Sequence, residues 1–144
     1  MKIADLVSSR REVFSVTEDT TVHDAARYLR DHQVRAVGVC DQAGILLGVI
    51  SQSDVSDKVA AENKCPAWTR VSEIMSRRLI TATPETSIED CLRLMDQNGI
   101  YHLLLVDAEK GFRGMISVTD LLQLFASDQK ARADMLEALI FPPR

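Results

Sequence analysis

Gly48-Val49-Ile50-Ser51-Gln52-Ser53-Asp54 returns later in the chain as Gly114-Met115-Ile116-Ser117-Val118-Thr119-Asp120, a displacement of 114 − 48 = 66 positions. Self-similarity at a fixed displacement marks duplicated structure, so this heptapeptide decides how the residues around it are read. Working outward, the same displacement pairs Asp41 with Asp107, Asp24 with Asp90, Thr20 with Thr86 and Thr17 with Thr83, and sets Val22 against Ile88 without a gap. The 144 residues therefore hold two copies of one small unit. Neither copy is large enough to bury a sufficient core alone, so the two must share one.

Each copy opens on a short amphipathic segment, Ile3 to Val7 or Val71 to Met75, and passes to a brief strand near Val13 to Val16 or Leu79 to Ala82. Thr20 or Thr21 is placed to cap the helix that follows in the first copy. In the second, Thr86-Ser87-Ile88-Glu89 has the capping-box pattern. Val22, Ala25, Ala26 and Leu29, and then Ile88, Cys91, Leu92 and Met95, recur at helical spacing and predict one buried face per helix. Gly99 is placed for a left-handed stop. Two β-rich runs come next in each copy, 36–40 with 45–51 and 103–106 with 112–117, joined by hairpin residues at Asp41 to Gly44 and Asp107 to Gly111. A closing helix starts near Ser51 or Ser117, which makes the unit strand, helix, strand, strand, helix. One sheet face of such a unit is bare, and the other copy can cover it.

The chain thus divides into repeat 1 over 1–62, a linker over 63–70, repeat 2 over 71–127, and a C-terminal helix and tail over 128–144. Trp68, the single tryptophan, is expected to pack on one of the repeats. Ala131, Met135, Leu136, Leu139 and Ile140 fall at helical spacing before Pro142-Pro143 and predict a last helix whose apolar face needs a cover.

A hydrophobic share of 46% beside a charged share of 26% is that of a packed globular protein. The net charge of −4 argues against broad nucleic-acid or anionic-membrane binding, which needs clustered Lys and Arg. No run approaches the roughly 20 apolar residues that cross a bilayer, and the chain is read as cytoplasmic. Cys40, Cys65 and Cys91 are odd in number and widely spaced, suiting neither disulfides nor a zinc site; Cys40 and Cys91 read as buried thiols and Cys65 as more exposed. His23 and His32 sit on a charged helix face and its end, and no metal is expected there. No Walker-type loop, His-Glu-x-x-His or Gly-x-Ser-x-Gly is present, so no catalytic residue is assigned and the chain is read as not an enzyme.

The duplicated order, with Gly-x-Ile-Ser-x-x-Asp ending each copy and an apolar strand closing on Asp41 or Asp107, resembles a pair of CBS (cystathionine β-synthase) domains from about Lys2 to Phe125. That resemblance implies an α/β (α+β) fold, two tandem βαββα repeats packed about a pseudo-twofold axis through their sheets, with two symmetry-related clefts. It also implies a stand-alone regulatory or sensor module with no required cofactor. The clefts of similar proteins bind an adenosine-containing ligand, AMP, ADP, ATP or S-adenosylmethionine. The implied partners are that small molecule, a second copy in a homodimer, and an effector protein. A ligand-free dimerisation or scaffold module is the alternative, and a small enzyme with an unrecognised site a third.

Ser51-x-x-Asp54 and Ser117-x-x-Asp120 stand where a strand passes into a helix. An acid there offers two acceptor oxygens to ribose hydroxyls, as acidic residues do in dinucleotide folds; the same pattern also serves as a plain capping box. Ser53 and Thr119 could add hydroxyl contacts or face solvent. Family members often carry a basic pair before the second strand and a Pro after it. This chain has Val34-Arg35-Ala36-Val37-Gly38 and Ile100-Tyr101-His102-Leu103-Leu104 instead, so phosphate recognition falls to Arg35 and His102. Val34, Ile50, Ile100 and Ile116 would wall a base, although any core would want them. Tyr101 could stack on a base or pack in the core. Arg10-Arg11 and Arg77-Arg78, at matched places, could face an anionic ligand or be solvated loop charge.

Overall fold

The computed structural model describes residues 3–4 and 13–140, without the side chains at 128, 131, 132, 134–136 and 138–140. Two three-stranded sheets carry the fold. In the first, β1 (Ser15–Thr17) lies parallel to β2 (Ala36–Cys40), and β2 pairs antiparallel with β3 (Leu46–Ser51). Helix α1 (Val22–Asp31) makes the crossover between β1 and β2, and α2 (Gln52–Val55) follows β3, running on as a π-helical turn, Ser56–Ala60. After α3 (Val71–Ile74) the order repeats: β4 (Thr81–Ala82), α4 (Ile88–Asn98), β5 (His102–Val106), β6 (Phe112–Ser117) and α5 (Val118–Ile140).

Local chemistry sets these boundaries. Thr21 caps α1 by accepting the Asp24 N–H, and Asp24 adds a favourable negative charge in the first turn. The second helix is capped one residue later than its sequence pattern predicts. Ser87 accepts the Asp90 N–H, because Thr86 Oγ1 is already taken by the Thr83 N–H at 3.0 Å. Gly99 closes α4 at φ 62°, a left-handed position that glycine adopts without a Cβ clash. In both hairpins the aspartate Oδ1 accepts two backbone N–H groups: Asp41 takes Ala43 and Ile45, and Asp107 takes Glu109 and Gly111.

The relation between the two halves is visible in their hydrogen bonds. Ile45 bridges Gly111, its own counterpart in the other copy. The two flanking bonds, Leu46 N–H to the Lys110 carbonyl at 3.3 Å and Phe112 N–H to the Gly44 carbonyl at 3.2 Å, are images of each other under the 66-residue displacement. A pseudo-twofold axis therefore passes through this bridge. Around it Cys40, Leu46 and Leu104 are buried together, with Val49, Leu79, Val106, Phe112 and Met115 packed against them. Phe112 lies over Gly38, where an added Cβ would meet the ring at 2.5 Å. At the symmetry-related place a leucine, Leu104, shares the buried cluster with Leu46, so one interface holds a glycine–phenylalanine and a leucine–leucine pairing.

Each half has its own core rather than the single shared one its small size predicts, because each core takes residues from the other half's leading segment. Val22, Ala25 and Leu29 of α1 and Val37, Val39 and Ile50 of the sheet are buried with Val71, Ile74 and Met75. Ile88, Cys91, Met95, Leu103, Leu105, Ile116 and Leu121 are buried with Ile3. The exchange is pinned by a two-bond pairing of Ser76 with Val49 on the edge of β3, N···O 2.9 and 3.0 Å.

Three expectations are corrected or displaced by this arrangement. Trp68 does not pack on a repeat; it is 82% exposed, because its turn is held by backbone bonds from Trp68 and Thr69 N–H to the Cys65 carbonyl instead. The closing helix of the second half and the C-terminal helix are one continuous element, since no residue between Val118 and Ile140 breaks a helix. Arg10, Arg11 and the apolar side chains at Ala131, Met135, Leu136, Leu139 and Ile140 lie outside the described residues.

Candidate functional site

The antiparallel pairing of β2 with β3 places Ala36 opposite Ser51, and the Gln52 N–H donates to the Arg35 carbonyl at 3.0 Å. The start of β2 and the end of β3 thus meet at one end of the sheet, bringing Val34, Arg35, Ser51, Ser53 and Asp54 into one neighbourhood. The second half repeats this: His102 pairs with Ser117, and the Val118 N–H donates to the Tyr101 carbonyl at 2.9 Å. Each group stands at the end of β3 or β6 far from the axis bridge.

Both acids are engaged by the backbone. Asp54 Oδ2 accepts the Ser51 N–H at 2.9 Å and the Ser51 hydroxyl at 3.1 Å, while the Asp54 N–H donates to Ser51 Oγ at 3.2 Å. Asp120 Oδ2 accepts the Ser117 N–H at 2.9 Å, and its own N–H donates to Ser117 Oγ at 3.1 Å. These are complete capping boxes with Asp in the place Glu usually takes. The carboxylates are consequently fixed in orientation. Asp54 Oδ1 faces a cation: Lys58 Nζ lies 3.0 Å away, with the Asp54 side chain only 14% exposed.

The other candidates divide by burial. Ile50 and Ile116 are fully enclosed in the two cores, and Val34 and Ile100 are half-buried against them. Tyr101 is 73% exposed, so the core does not take its ring. Arg35, His102, Ser53 and Thr119 are exposed. Arg77 donates to the Ser72 carbonyl and Arg78 to Asn98 Oδ1, so both are tethered to their own surroundings.

A separate cavity of about 320 Å³ lies beside β1, lined by Val13, Ser15 and Thr17, by Asp41 and Gln42, and by Phe112 from the other half. None of the ligand-binding candidates named from the sequence lines it. The alternation of Val13, Ser15 and Thr17 along a strand is the one signal that shows in the sequence. Cys40 also borders it, and burial holds this thiol above its ordinary range, with a hydrogen bond to Ser15 opposing and the Asp41 charge adding to the rise. Burial pushes Cys91 up to about 11, reinforced by the Asp90 charge. Neither thiol is a ready nucleophile near neutral pH. Among the described residues no group of His, Cys, Asp and Glu is arranged to hold a metal, and no helix is long and apolar enough to cross a membrane.

Known proteins with this arrangement give it a family. The CBS domain family model matches residues 3–61 and again 71–127. The CBS domain-containing protein CBSX3, mitochondrial, of Arabidopsis thaliana is 31% identical over 128 residues; the match takes in 86% of this chain and 62% of that protein, so the chain spans less than two thirds of its length. A protein with CBS domains from Burkholderia ambifaria MC40-6 has a solved structure similar at a TM-score of 0.78 and 26% identity, over 90% of this chain and 96% of that one. The CBS domain pair of protein MJ0100, solved in complex with 5′-methylthioadenosine and S-adenosyl-L-methionine, shares the fold at a TM-score of 0.76 and 23% identity, over 89% and 98% of the two chains. Two matched copies, joined about their own pseudo-twofold axis, make this chain a member of the CBS domain family, built as a tandem pair.

Proposed function

We propose that the protein is a regulatory module that binds an adenosine-containing ligand and transmits its occupancy to an effector protein, working as a cytoplasmic homodimer without catalysis of its own. The observation that carries this reading is the matched pair of acids. Asp54 Oδ2 is held by the Ser51 hydroxyl and N–H and Asp120 Oδ2 by the Ser117 N–H, each in a fixed orientation beside the start of the neighbouring strand, where Arg35 or His102 stands. A carboxylate so held is preorganised to accept ribose hydroxyls. The ligands of the MJ0100 pair are adenosyl compounds, which fits the same chemistry. Arg35 and His102 would meet a phosphate or carboxylate on the ligand, with Tyr101 near the base.

Thermal unfolding of the purified chain with AMP, ADP, ATP, S-adenosylmethionine and adenosine tests the reading. A ligand at 100 times its dissociation constant stabilises by about 2.7 kcal/mol. Asp54→Ala and Asp120→Ala should each remove part of that stabilisation. A ligand-free dimerisation scaffold is the second reading, favoured by the capping boxes that already occupy both acids. It predicts no stabilisation by any member of the panel and a mass of two chains in light scattering.

A further inference from the structure

Lys58 joins two parts of the molecule that are distant in sequence. Its Nζ lies 3.0 Å from Asp54 Oδ1 and donates to the Ile74 carbonyl at 2.9 Å. Ile74 ends α3, the segment that leaves the first half for the second, and it is buried in the first core. Two residues on, Ser76 makes its two-bond pairing with Val49 of β3. One ammonium therefore bridges the acid of the first candidate site and the peptide that physically joins the halves. The turn that carries Lys58 is π-helical, closed by the Ala61 N–H to the Ser56 carbonyl at 2.9 Å, a geometry found more often at functional positions than in plain helices.

The repeat does not duplicate the lysine. The position displaced by 66 from Lys58 is Leu124, which packs against the second core. A leucine has no donor, so the Lys58 bridge is a feature of the first half's own sequence. The duplicated sites are chemically alike at the acid and unlike one helical turn further on.

We infer that Lys58 is a positioning residue coupling Asp54 to the α3–Ser76 connection, so that the first site signals its occupancy to the junction between the halves. A ligand hydroxyl bonding Asp54 Oδ1 competes with Lys58 for the same lone pairs and weakens the hold of Lys58 on the Ile74 carbonyl. This deepens the proposed function and rests on it for the ligand; the coupling itself exists without one.

Amide exchange of Met75 and Ser76 in the full chain tests it, in two arms. Without ligand, Lys58→Met and Asp54→Asn each raise exchange at these amides about fivefold, the loss expected from one hydrogen bond whose charge is half screened by solvent. The double variant goes no higher than the larger single effect, and Lys58→Arg restores wild-type exchange. Wild-type exchange in Lys58→Met, or effects that simply multiply in the double variant, overturns the inference. With saturating S-adenosylmethionine or AMP, wild-type exchange at Met75 and Ser76 changes and Lys58→Met shows no change. A change that persists in Lys58→Met also overturns it. If neither compound binds the wild-type chain, the proposed function fails, and the ligand-free arm still decides the role of Lys58.

Discussion

Replacing Gly48 with alanine strikes the contact that locks the two halves together. The backbone at Gly48 is one any residue adopts, so the whole effect comes from space. A Cβ there would lie 2.7 Å from Met75 Sδ, 3.0 Å from Met75 Cγ and 2.8 Å from the Ser76 carbonyl oxygen. The thioether can rotate aside at little cost. The carbonyl cannot, because Ser76 is bonded to Val49 through both its N–H and its C=O. Overpacking of this kind costs about 1–3 kcal/mol, and loosening a two-bond pairing adds about 1–2 kcal/mol. Alanine returns roughly 0.4–1 kcal/mol by restricting the unfolded chain. The net loss is about 1–4.5 kcal/mol, which lowers the midpoint of thermal unfolding by roughly 3–15 °C for a chain of this size. Urea unfolding measures the free energy, and amide exchange of Ser76 shows whether the pairing is the part that opens. Gly48→Ala within about 0.5 kcal/mol of wild type, or Ser76 exchange unchanged, would refute the reasoning.

Gly114 is the counterpart of Gly48 but has open space around its Cβ position and φ +126°; Gly114→Ala should cost about 1–3 kcal/mol through backbone strain, and trimming no neighbour should relieve it, whereas Met75→Ala should partly rescue Gly48→Ala. Ile74→Ala, a truncation at a residue 2% exposed, should cost about 2–5 kcal/mol and raise amide exchange in β2 of the first half rather than in β5 of the second. Of the three cysteines, exposed Cys65 should react with a thiol reagent in the native protein, and buried Cys40 and Cys91 only on unfolding. Because the Cys91 thiol is raised from 9.0 to about 11 by folding, its contribution to stability is complete below pH 9 and is lost as the pH climbs through 11; unfolding curves across that window should show stability falling, and less so in Cys91→Ala.

The order of elements was legible because the determinants are local and occur twice. Gly99, the Asp41 and Asp107 hairpins, and the Ser-x-x-Asp boxes each bond to residues a few positions away, so short-range patterns suffice. The exchange of leading segments was not legible. Val71, Ile74 and Met75 carry an amphipathic pattern that says a face is buried and not which half buries it. The outward Trp68 is hidden from the sequence for a similar reason, since a large aromatic ring is usually packed and the Cys65–Thr69 backbone turn holds this one in solvent. At the site, the acids and their serines were found from the repeat. Lys58 carries no signal in the sequence because one of its two acceptors lies sixteen residues further on, beyond any local motif.

Ile3 fills the second core, and Val71, Ile74 and Met75 fill the first, so each half is a socket whose plug is tethered to its sibling. Cutting the chain between the halves would leave each with an unfilled socket and an uncovered plug, so the two pieces should pair with each other rather than persist apart.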